Sequence, residues 1–132
     1  MQTLKLGQSD LNVTPICLGT MTFGEQVAEG DAHAIMDRAH EHGINFFDTA
    51  NVYGWGENKG RTEEILGRWL RGKREKFIVA TKCAGEMGPA PWQRGTSRKH
   101  VFAAIEASLD RERRSRGTSL RSTPARPSSR RA

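Results

Sequence analysis

The sequence predicts an α/β chain: an N-terminal β-hairpin followed by three β-α units whose strands form a parallel sheet. Apolar runs at 16–18, 44–47 and 77–81 are too short for helices and read as buried strands. Each is followed by a segment with apolar residues at three- and four-residue spacing, the mark of a helix packed by one face. Upstream, Leu4, Leu6, Leu11 and Val13 alternate with polar residues around the cluster Gly7-Gln8-Ser9-Asp10, as in a hairpin.

In chain order, Ile16-Cys17-Leu18 is the first buried strand, and Gly19-Thr20-Met21 begins the loop beyond it. A glycine there lets a ligand approach the backbone closely. Residues 31–42 read as a helix with Ala32, Ile35, Met36 and Ala39 on its core side, and Gly43 stops it. The run at 44–47 ends abruptly in Asp48 and a loop that closes on Tyr53 and Gly54. Residues 62–71 form a second amphipathic helix, with Thr62 as its expected cap, early acids, late arginines and Trp69 spaced as core. The strand at 77–81 ends in Lys82, and a Gly- and Pro-rich loop follows. Ser97 is the expected cap of a third helix, which puts Val101, Phe102, Ile105 and Leu109 on one apolar face.

The formal charge of +6 is unevenly distributed. Residues 111–132 hold eight arginines against one glutamate, so residues 1–110 are close to neutral and the high isoelectric point belongs to the tail. Leu120 is the only large apolar residue after Leu109, so the boundary is placed at 110/111, with an Arg/Ser/Pro-rich disordered tail expected beyond it. Cys17 and Cys83 are too few and too far apart for a disulfide framework or a metal knuckle, and no metal site is expected. The start has no signal-peptide pattern and no run approaches a membrane span, so a reduced, cytoplasmic chain is the expectation.

Parallel strands deliver their functional groups at one end of the sheet, and here that end receives an acid, a phenol and an amine: Asp48, Tyr53 and Lys82. The run Phe47-Asp48-Thr49-Ala50-Asn51-Val52-Tyr53-Gly54, the Glu63 to Gly67 segment and Ala80-Thr81-Lys82 resemble the N-terminal part of an aldo-keto reductase. Leu18-Gly19-Thr20-Met21-Thr22-Phe23-Gly24 fits the same family's first strand and loop, and the resemblance covers roughly residues 1 to 110.

The resemblance implies a (β/α)8 TIM barrel, of which this chain carries the bottom hairpin and three β-α units. Eight strands in about 250 residues are needed to close such a barrel. The chain is therefore expected to be truncated and inactive, with the reading frame departing from the family near Arg111. The implied chemistry is NADPH-dependent reduction of a small aldehyde or ketone to an alcohol. Tyr53 would supply the proton, Lys82 would favour its release, and Asp48 would keep Lys82 charged. By the same resemblance Gly19, Thr20, Met21 and Asp48 lie near the nicotinamide ribose, with weak NADPH binding expected because later strands supply the rest of the cofactor site.

Trp55 and Trp92 are the candidates for lining an apolar substrate mouth. The family's fourth catalytic residue, a histidine at the end of the fourth strand, has no counterpart. His33, His40, His42 and His100 are expected as surface or packing residues. Two further readings are a non-catalytic NADP-binding regulatory subunit and a nonspecific polyanion binder acting through the tail. The tail has no aromatic for base stacking and no motif for base reading, so no specific nucleic acid is expected, and with no run approaching a membrane span no membrane partner is expected.

Overall fold

The computed structural model describes residues 1–113. The expected hairpin is β1 (Leu4–Lys5) and β2 (Asn12–Val13), antiparallel with Leu4 opposite Val13. Gly7 takes φ 58° in its turn, a left-handed backbone that suits a residue without Cβ. Asn45 ties the hairpin to the sheet: its Oδ1 accepts from the Thr14 N–H at 2.8 Å and its Nδ2 donates to the Asn12 carbonyl at 2.9 Å.

Three parallel strands follow in the order β3 (Leu18–Gly19), β4 (Phe46–Asp48), β5 (Ile78–Ala80). The register aligns Leu18, Phe47 and Val79 across one face and Gly19, Asp48 and Ala80 across the other. Helices α1 (Glu29–Glu41) and α2 (Arg61–Trp69) cover the first face. Ala32, Met36 and Ala39 of α1 meet Ile65, Leu66 and Trp69 of α2 over Phe47, and Leu18 and Val79 pack at the edge. Phe47, Trp69 and Phe77 form an aromatic centre with ring centroids 4.8 to 5.4 Å apart, and the Trp69 Nε1 donates to Asp37 at 2.8 Å. Aromatic pairs at this spacing add to their burial, so the core organises around this trio.

Helix α3 (Arg98–Arg113) begins where Ser97 predicts it, and the Ser97 Oγ accepts from the His100 N–H at 3.2 Å. Its orientation corrects the sequence reading. The buried side is His100, Ala104, Ser108 and Glu112, whereas Phe102 and Ile105 of the apolar face are exposed. Gly67 explains this: a Cβ there would lie 2.2 Å from the Arg111 carbonyl oxygen. The backbones of α2 and α3 touch, and small or charge-paired residues fit that seam better than large apolar ones.

Four further expectations change. The boundary at 110/111 falls inside α3, whose last turn includes Arg111 paired to buried Glu63 and Glu112 itself buried; the rest of the expected tail, 114–132, lies outside the described residues. Cys17 is exposed and precedes β3, which is an edge strand, so Ile16 and Cys17 are not covered as a buried run would be. Thr62 does not cap α2. Its hydroxyl donates to the Phe23 carbonyl at 2.7 Å, and Gly60 holds the N-cap position with φ 91°. Ile35 points outward from α1 rather than into the core.

Candidate active site

Asp48 is the last residue of the central strand, so its carboxylate emerges where the sheet ends. Ala80 lies opposite it in register, and Lys82 is two residues further on, on the same face by the alternation of a strand. The loop after β4 runs back along the exit of β5: the Thr49 N–H donates to the Ala80 carbonyl at 2.8 Å and the Asn51 N–H to the Lys82 carbonyl at 3.1 Å. These bonds place Tyr53 over the same edge, and its backbone is held by bonds to Ala50 and from Gly60.

Lys82 is the hub. Its Nζ lies 2.8 and 2.7 Å from the two Asp48 carboxylate oxygens, 3.0 Å from the Thr49 carbonyl and 3.4 Å from the Tyr53 Oη. An ammonium has three protons to donate, and here acceptors from the strand, the loop backbone and the phenol share them. Partial burial pulls the Lys82 ammonium down, but the hydrogen bonds to Asp48 and Tyr53 push it further the other way, so it titrates above the usual lysine range. The amine is held as a cation beside the phenol.

Thr20 fixes the neighbouring loop. It is fully buried, and both its N–H (3.1 Å) and its hydroxyl (2.9 Å) donate to the Asp48 carbonyl. Gly19 is level with Asp48 in the ladder, and a Cβ there would meet no atom within 4 Å. Met21 is exposed. Beside Asp48, the side of the strand end where a Gly19 side chain would stand is therefore open.

Trp55 takes φ 48°, unusual for a bulky residue, between Gly54 and Gly56, which are also left-handed. A Cβ on Gly54 would lie 2.1 Å from the Asn58 carbonyl oxygen, so only glycine permits this turn. The turn brings the Trp55 ring to 6.0 Å from that of Tyr53. Trp92 is exposed, and its ring is faced by the Lys99 ammonium at 5.2 Å rather than by the trio. The histidines have other partners: His33 Nε2 lies 3.1 Å from the Ile65 carbonyl and His40 sets its ring edge-on to Phe77. His100 is buried with Nε2 2.7 Å from the Cys83 carbonyl.

Sequence reasoning missed two members of this neighbourhood. Cys17, though exposed as a residue, feels the charges of the trio: the slight burial of its sulfur and then Asp48 push its thiol up, while Lys82 pulls it down. Strand parity was the available signal, since Cys17 is two residues before Gly19 and so shares the Asp48 face. Glu63 is the other, reaching the residue before Lys82 from behind the sheet. A separate cleft of about 570 Å³, lined by Glu29, Glu57, Asn58, Lys59, Arg61, Glu64 and Arg68, shares no residue with the trio.

Comparison with known proteins bears on the family and the fold. The sequence model of the Aldo/keto reductase family matches residues 15–116, which extends past the boundary expected from composition. The chain is 44% identical over 119 residues to the uncharacterized oxidoreductase YrpG of Bacillus subtilis (strain 168), covering 84% of this chain and 36% of that protein. It is 42% identical over 121 residues to Protein tas of Escherichia coli (strain K12), covering 84% and 35%. A probable voltage-gated potassium channel subunit beta of Arabidopsis thaliana is 39% identical over 115 residues, covering 84% and 34%. The chain thus spans about a third of the length of the curated relatives it matches.

Among solved structures, an aldo-keto reductase from Bacillus halodurans in its holo form superposes with TM-score 0.71 at 36% identity, covering 85% of this chain and 36% of that one. A putative aldo-keto reductase from Pseudomonas aeruginosa gives 0.69 at 34% identity, covering 83% and 42%. The hairpin and three parallel β-α units are therefore one part of a TIM-barrel architecture. With the family's sequence model spanning most of its length and its fold matching solved members, this chain belongs to the aldo/keto reductase family.

Proposed function

We propose that the trio forms the acid–base part of a carbonyl-reductase site, acting on a small aldehyde or ketone with NADPH as the reductant. The observation that supports this reading most is the Lys82 ammonium, bonded to both oxygens of Asp48 and 3.4 Å from the Tyr53 hydroxyl oxygen. Reduction adds a hydride to carbon and a proton to oxygen; the bound nicotinamide supplies the hydride. Tyr53 supplies the proton. Because Lys82 donates toward the phenol oxygen, it stabilises the charge left there when the proton goes to the substrate. Asp48 holds the ammonium in place and keeps it charged.

The open strand end fits the nicotinamide end of the cofactor. Gly19, level with Asp48 in the ladder, leaves room for close approach, and Met21, two residues further along the same loop, is exposed. Thr20 has both donors engaged with the Asp48 carbonyl, so its role is to shape this loop rather than to bind. Trp55, adjacent to Tyr53, is the favoured wall of the substrate mouth; no contact to the trio supports Trp92 in that role.

The Lys82 and Asp48 side chains are 53% and 39% exposed. Water at this degree of access screens the field that a closed reductase site uses, so the 132-residue chain alone is proposed to turn over at background. One observation favours a second reading, cofactor binding without turnover: the similarity to the Arabidopsis thaliana channel subunit beta. A fluorescence titration with NADPH, followed by its oxidation with an aldehyde panel, tests both. Weak binding with background oxidation is expected. Tight, saturable binding without oxidation favours the subunit reading, and clear turnover abolished by Tyr53→Phe contradicts the exposure argument.

A further inference from the structure

The chemistry assigned to Lys82 depends on where its backbone leaves the sheet. On the side of the β4 loop that exit is fixed by the Thr49 and Asn51 amides, which bond the carbonyls of residues 80 and 82. Residue 81, between them, turns to the opposite side, and the Thr81 hydroxyl donates to the Glu63 Oε1 at 2.6 Å. Glu63 lies in the first turn of α2 and has no exposed surface. Its other oxygen, Oε2, accepts from the Arg111 Nε at 2.7 Å, from the last turn of α3.

A buried carboxylate held by a guanidinium is a fixed acceptor, and a hydrogen bond to it is stronger than one between neutral groups. Thr81 is itself exposed, so water competes for its hydroxyl, yet the bond to Glu63 is short. We propose that Glu63 is a positioning residue: through the Thr81 hydroxyl it fixes the exit of β5 and thereby sets the reach of Lys82 to Asp48 and Tyr53. The inference rests on the role proposed for the trio, since only then does the placement of Lys82 bear on a rate. It links α3, through Arg111 and then Glu63, to the end of β5 that carries Lys82.

The test follows the titration of Lys82 by NMR of ¹³C-labelled lysine Cε in the 132-residue chain, with the signal assigned by its loss in Lys82→Met. The titratable groups facing Nζ are Asp48 and Tyr53, and they hold Lys82 above the usual range against the effect of burial; the Cys17 thiol is the further group whose titration Lys82 influences. Thr81→Val keeps the shape and removes the hydroxyl at an exposed position, and Thr81→Ala removes it with less bulk. Both are expected to lower the Lys82 midpoint as the bond to Asp48 loosens, while Thr81→Ser retains the wild-type value. Glu63→Gln, which leaves one oxygen for two donors, is expected to shift it the same way and to add nothing once residue 81 is Val.

An unmoved midpoint in the hydroxyl-free variants overturns the proposal, as does a Glu63→Gln shift that adds in full to that of Thr81→Val. The readout needs no turnover, so it is separate from the reductase reading, which fails instead where turnover in an enclosed barrel is left unchanged by Tyr53→Phe.

Discussion

Arg111, in the last turn of α3, sets its Nε 2.7 Å from the Oε2 of Glu63, a carboxylate with no exposed surface in the first turn of α2. The pair sits where α2 and α3 touch: a Cβ on Gly60 would lie 2.9 Å from the Arg111 Cδ, and one on Gly67 would meet the Arg111 carbonyl. Removing one partner of a buried pair leaves an uncompensated charge, which costs about 3–5 kcal/mol. Arg111→Met is therefore expected to lower the unfolding free energy of the 132-residue chain by about that amount in urea titrations. The double variant Arg111→Met with Glu63→Leu is expected to recover part of the loss. A cost near that of a surface pair, about 1 kcal/mol or less, would show that the pair is not buried in solution.

Two other glutamates should respond to pH in opposite directions. Burial pushes Glu112 up; Arg74, 3.4 Å away and itself partly exposed, offsets only part of that, and Glu63 adds to the rise. A carboxyl raised in the folded state contributes stability below the ordinary glutamate range and loses it as pH rises through the folded value. Glu112→Gln is thus expected to stabilise the chain at pH 7, the gain vanishing in acid. Glu29 is lowered chiefly by its hydrogen bonds from Arg68. Its contribution is present above the ordinary range and lost as pH falls through the lowered value, so Glu29→Gln should destabilise at pH 7 and not in acid. The Glu29 side chain is 38% exposed, so solvent screening keeps this loss at about 1 kcal/mol or less. Thermal unfolding from pH 3 to 8 checks both, and parallel curves for wild type and either variant would contradict the assignment.

The trio was legible because it needs only strand ends. Asp48 and Lys82 close apolar runs whose parallel pairing follows from the alternation of strands with helices, and Tyr53 follows at loop distance. Trp69 was legible as helix core by its spacing. What the pattern did not carry is where polar groups go inside. Periodicity assigns the apolar side of α3 to the core, but the seam at Gly67 selects Ala104, Ser108 and a pair of buried carboxylates. Composition marks Arg111 as the start of a tail, and only its partner 48 residues away shows it to be part of the helix packing. Thr62 has the chemistry of a cap, yet a carbonyl 39 residues away takes its hydroxyl. Contacts of this range leave no trace in local spacing.

In the proposed site Tyr53 is the proton donor of a trio that Lys82 holds together. The most direct test puts residues 15–113 in place of the matching segment of the Bacillus halodurans reductase, whose fold they share, and measures aldehyde-dependent oxidation of NADPH. Turnover is predicted in this enclosed setting, with a fall in kcat of about a hundredfold or more in Tyr53→Phe, as for loss of a positioned acid. Turnover that Tyr53→Phe leaves unchanged would contradict the assignment of Tyr53 as the acid.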